Sequence, residues 1–158
     1  MSNSSRWSIG KTILVAGLIA GTIDITDAIV VTHFRGGSPM RMLRFIASGL
    51  HGPDVVQSGG TPMSALGLLF HYCIAAGWAT LYVLASTRIA ALLRRPVVCG
   101  LIYGGFVWVM MNYVVLPFSR VRPGPGFQMN WILFNSVGII LLGVGLPIAL
   151  IAARGRRG

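Results

Sequence analysis

Residues 11–31 read KTILVAGLIAGTIDITDAIVV, one long apolar run into which two glycines, Gly17 and Gly21, and two acids, Asp24 and Asp27, are set. A helix needs about 20 predominantly apolar residues to cross the hydrocarbon core of a bilayer, and this run has them. Three more stretches of that kind follow, at about 62–86, 96–118 and 131–152. Breakers or bases bound them: Arg35 with Gly36-Gly37, Arg88, Arg94-Arg95-Pro96, and Arg120-Val121-Arg122-Pro123. Thr61-Pro62 and Ser38-Pro39 each place a capping hydroxyl ahead of a proline that suits the first helical turn. The expected fold is all-α, an integral membrane four-helix bundle forming one membrane domain over residues 1–158.

Composition supports the same reading. The chain has 158 residues, of which 54% are hydrophobic and 10% charged, where a soluble domain carries about 25% charged residues. Thirteen Lys and Arg face three Asp and Glu, a formal net charge of +10. Such basicity often marks nucleic-acid binding. Here the bases lie between apolar runs, where they act as topology signals, so no nucleic-acid partner is expected and the lipid bilayer is the first partner. With four spans both termini share a side. Eight bases (Arg6, Lys11, Arg88, Arg94, Arg95, Arg154, Arg156, Arg157) fall there, against five (Arg35, Arg41, Arg44, Arg120, Arg122) on the other. The positive-inside rule then puts both termini in the cytoplasm. Arg6, Lys11 and the apolar run after them also resemble a signal peptide, but no clear A-x-A-like site follows, so the first span is expected to be retained.

The connection between the first two spans is the long one. Within it, about 39–50 has helical period: Pro39, Leu43, Ile46, Ala47 and Leu50 share one face, with Arg41, Arg44 and Ser48 opposite. It is too short to span, and its basic face suits a short interfacial helix in the first periplasmic connection. Packing down on the bundle is the simpler role for it; a lid over a cavity is the sharper one.

Lipid provides no hydrophobic drive for helix association, so small residues that let backbones approach matter. Gly17-x-x-x-Gly21 and Gly100-x-x-x-Gly104 are the expected packing sites. Pro147 predicts a kink in the fourth span. Cys73 and Cys99 fall in opposite halves of the bilayer and read as small buried hydrophobes. Tyr82 and Trp131, near span ends, read as interfacial anchors.

Two of the three acids lie inside a span, and acids at that depth are costly. At 100° per residue Asp24 follows the stripe of Gly17 and Gly21, with Asp27 on the same general side. His71, Asn112 and Asn135 fall at comparable depth in the other spans, within about 10 Å of one level at 1.5 Å per residue. Asp24, Asp27, His71, Asn112 and Asn135 therefore form a candidate polar layer in the periplasmic half. As a structural device it would pair an aspartate with His71 and let the asparagines satisfy carbonyls and hydroxyls. As a functional one it would handle protons, ions or a solute. One histidine and two aspartates could hold a divalent metal, but no H-x-x-x-H or E-x-x-H spacing supports it, and no metal or cofactor is assigned. His33 and His51, in the long connection, read as solvated.

No G-x-S-x-G, P-loop, dinucleotide fingerprint, haem-attachment or H-E-x-x-H motif occurs. Paired inverted halves, frequent in secondary transporters, are also missing. The expected function is a non-enzymatic multi-pass membrane protein, an accessory subunit of a membrane complex or a homo-oligomer. The alternative is a small proton-coupled transporter or ion-conducting protein using the Asp/His layer.

Ile46-Ala-Ser-Gly-Leu50, His71 and Met111-Asn-Tyr-Val-Val-Leu-Pro-Phe-Ser119, with Gly21 and Asp24, resemble a set of small bacterial inner-membrane proteins, broadly the YagU-like proteins. The resemblance covers about residues 10–152. It implies a bacterial inner membrane and four helices, and no substrate or catalytic residue.

Overall fold

The computed structural model describes residues 7–120 and 131–156, with backbone only at 131 and 132. Helix α1 (Ile9–Phe34) starts at Ser8, whose hydroxyl accepts from the Lys11 amide. Helices α2 (Pro39–His51) and α3 (Val55–Ser58) follow in the long connection, then α4 (Gly60–Arg88) and the short α5 (Ala91–Arg94). Helix α6 covers Pro96–Phe118, and α7 runs through Trp131–Ile139, Ile140–Gly145 and Leu146–Arg156. No strand occurs among the described residues. Four helices, in α1, α4, α6 and α7, are long and apolar enough to cross a membrane.

Helix α1 is the hub. It packs along α4 on one side and along α7 on the other, while α6 packs on α7 and α2 on α4. Small residues make the core, with Ala16, Ala20, Ala79, Ala149 and Ala152 fully buried around Val83 and Ile148. The glycines set the spacing. A Cβ on Gly17 would come within 3.0 Å of the Ala76 Cα, and one on Gly21 equally close to the Tyr72 ring. Gly104 lies against the Leu141 backbone, and Gly145 against Gly100 and Gly104. The second G-x-x-x-G motif thus meets a third glycine on the facing helix, so backbone touches backbone.

Ahead of Pro147, where the sequence predicts a kink, the structure has a widened π turn over Ile140–Gly145. Helix α6 repeats the device, with a π turn over Met111–Val115 just ahead of Pro117. A proline lacks an N–H and crowds the carbonyl four residues back, and a widened turn accommodates both.

Helix α2 lies on α4 through most of the expected face, with Ser48 added to it and Leu50 left out. Leu43, Ala47 and Ser48 are buried, and Leu50 is exposed. Ser48 and the Nε of Arg44, expected on the polar side, are both buried. Close approach decides the rotation: Gly67 lies directly against the Leu43 carbonyl, and the Ser64 hydroxyl donates to the Met40 carbonyl at 3.0 Å. Gly67 thus meets the backbone of Leu43 and Ala47. At its far end His51 stacks on Phe70, and the Gly49 carbonyl accepts the Arg120 amide at 3.0 Å. Helix α2 therefore ties the start of α4 to the end of α6.

Candidate functional site: a polar seam on both flanks of the first span

Because Gly21 has no side chain, the α1 backbone is open to α4 at that level. The His71 Nε2–H donates to the Gly21 carbonyl at 2.8 Å; a carbonyl only accepts, so this nitrogen carries the proton. The opposite ring nitrogen, Nδ1, faces Asp24 Oδ2 at 3.9 Å. The His71 side chain is 12% exposed and that of Asp24 28%. Tyr72 stands edge-on to the imidazole at 5.6 Å, and its hydroxyl shares a 3.0 Å hydrogen bond with Thr22.

Asp27 lies about 60° round the helix from Asp24 at 100° per residue. That rotation turns it to α7, where its Oδ2 accepts from the Asn135 Nδ2–H at 2.8 Å. The general side expected to be shared by the two acids is thus two sides: one acid serves α4 and the other serves α7. Next to Asn135, the Ser136 hydroxyl accepts from the Trp108 indole N–H of α6 at 3.1 Å. Polar contacts therefore link all four long helices in sequence, α4 to α1 to α7 to α6.

Asn112 stays outside this seam. Its Nδ2–H donates to the Trp108 carbonyl of its own helix at 2.8 Å, and the residue is exposed. Four of the five expected layer residues thus meet in two pairs, and the fifth faces outward. Sequence reasoning missed Tyr72 and Thr22 as partners, although Tyr72 adjoins His71 in the chain. The bond from Trp108 to Ser136 was legible only as two polar-capable residues at similar depth.

Towards the end that carries the described termini, aromatic rings close the bundle. The Tyr103 hydroxyl donates to the Trp78 carbonyl at 2.6 Å, and that of Tyr82 to the Leu92 carbonyl at 3.1 Å. The two tyrosine rings sit 4.9 Å apart. Tyr82, expected at the interface, is instead 1% exposed, because the Leu92 carbonyl in the connection satisfies its hydroxyl inside the bundle. Cys73, expected to be buried, is exposed on α4, and both cysteines are free thiols. The Trp131 side chain lies outside the described residues. His33 is exposed beside Phe34, and His51 is taken up by Phe70. Among the described residues no group of three or more His, Cys, Asp or Glu converges as a metal site would require.

The fold and the seam together define a class, a membrane protein of four apolar helices joined by a polar seam. Comparison with protein-family models, curated proteins and solved structures finds no match to this chain.

Proposed function

We propose that this is a non-enzymatic multi-pass protein of a bacterial inner membrane, acting as an accessory subunit that binds a partner helix within the bilayer. The observation that carries this reading is Asn112. Its amide lies on a membrane-crossing helix and faces away from its own bundle, with its Oδ1 unpartnered among the described residues. An asparagine in that setting gains by hydrogen bonding to another helix, and such contacts fix which helices associate. Tyr113, the next residue in the chain, is 60% exposed. Eight bases against five support cytoplasmic termini, and the YagU-like resemblance supports the bacterial inner membrane.

Purification from native membranes in a mild detergent tests this reading. The parent is expected in a complex larger than one chain that includes a second membrane protein, and Asn112→Leu is expected to release it as a folded single chain. A parent that is itself a single chain, or a homo-oligomer with no second protein, overturns the accessory role.

A further inference from the structure

We infer that Asp24 and His71 together form a binding site for a single proton, shared between α1 and α4. This inference is independent of the accessory role and rests on hydrogen-bond geometry. The Gly21 carbonyl holds the Nε2–H of His71 in place, so Nε2 is protonated in every state of the ring. All variable protonation is thereby confined to Nδ1 and to the facing carboxylate, 3.9 Å away.

Three occupancies follow. With no proton, a ring lone pair faces a carboxylate, and the pair carries a net negative charge inside an apolar bundle. With two, an imidazolium faces a carboxylic acid, and the pair is positive. With one, the pair is neutral, either as imidazolium with carboxylate or as neutral ring with carboxylic acid. Uncompensated charge is costly at this depth, so the one-proton state is the stable one. A proton from water enters at Nδ1 or at the Asp24 oxygen, and leaves by the same atoms; no other bond changes.

The charged group that acts on the pair from its own helix is the Asp27 carboxylate, whose repulsion of Asp24 further disfavours the proton-free, doubly ionised arrangement. On α1, Asp27 is engaged by Asn135. On α4, Tyr72 is engaged by Thr22. Helix α2 brings Arg44 and His51, the latter stacked on Phe70. The α7 segment packed on α1 here offers Asn135, an uncharged amide. The unequal exposure of the two side chains makes Asp24 the entry point and His71 the inner holder.

Solid-state NMR of the whole protein in lipid bilayers tests this, with 15N-labelled histidine and 13C-labelled aspartate. His71→Gln and Asp24→Asn identify the two signals. At neutral pH the parent is expected to hold one proton in the pair: both His71 nitrogens protonated beside a carboxylate, or an Nε2–H ring beside a carboxylic acid. A neutral Nε2–H ring beside an ionised Asp24 at neutral pH overturns the inference, and so does a ring protonated at Nδ1 alone. Should Asp24→Asn fail to fold, His71→Gln still identifies the ring signal, and the parent spectrum decides.

Discussion

Gly145→Ala is expected to destabilise the bundle more than any other single-methyl change in α6 or α7. The added carbon would sit 2.5 Å from the Gly104 amide nitrogen and 2.6 Å from its Cα, and closer still to the Gly100 carbonyl. A flexible side chain could swing aside from such a contact. Backbone inside two packed helices cannot, so the helices must part. Overpacking of this kind costs about 1–3 kcal/mol, occasionally more. Here it also opens the α6–α7 crossing, where no hydrophobic drive restores the contact once the backbones separate. Denaturation in mixed micelles checks this, with Gly105→Ala as control, since a Cβ there meets nothing within 4 Å. Equal stability of the two variants would mean that the crossing is not glycine-limited.

Gly67→Ala should release α2 without dissolving the four long helices. Its new carbon would fall on the Leu43 carbonyl, where Gly67 meets the α2 backbone. About 1–3 kcal/mol of overpacking acts on a helix held otherwise by the Ser64 bond to Met40, the His51–Phe70 stack and the Gly49–Arg120 contact. The two hydrogen bonds among them are worth about 1 kcal/mol each. Hydrogen exchange is the appropriate measurement. The amides of α2 that follow Pro39 should lose protection while those in the middle of α4 keep theirs. Unchanged protection of α2 would show that its docking does not depend on Gly67.

The four long helices were legible because length and apolarity alone decide what can cross a bilayer. Pro96 and Phe118 bound the third on both counts, since a proline starts it and Ser119-Arg120 follows it. The first G-x-x-x-G motif also pointed to a close seam. What it could not give was the partner, because Ala75, Ala76 and Tyr72 are unremarkable in the sequence of α4. Helix α2 shows a different limit. Its periodicity ranked residues by polarity, whereas Gly67 on α4 lets the α2 backbone at Leu43 and Ala47 come close. Tyr82 was misplaced because position near a span end suggested an interface, while the carbonyl that accepts its hydroxyl comes from a connection ten residues on. The two acids were recognised as the unusual residues of the first span. Their division between two neighbours follows from a 60° rotation, which becomes meaningful only when the helices on each side are known.

The first span joins its neighbours through polar contacts on two separate flanks, to α4 and to α7, and Asn112 belongs to neither. Disulfide cross-linking in native membranes tests this most directly, in a chain whose Cys73 and Cys99 are replaced by alanine. Asp27→Cys with Asn135→Cys should cross-link efficiently under mild oxidation, and Asp27→Cys with Asn112→Cys should not. Efficient linkage of residue 27 to residue 112, or none to residue 135, would contradict the arrangement.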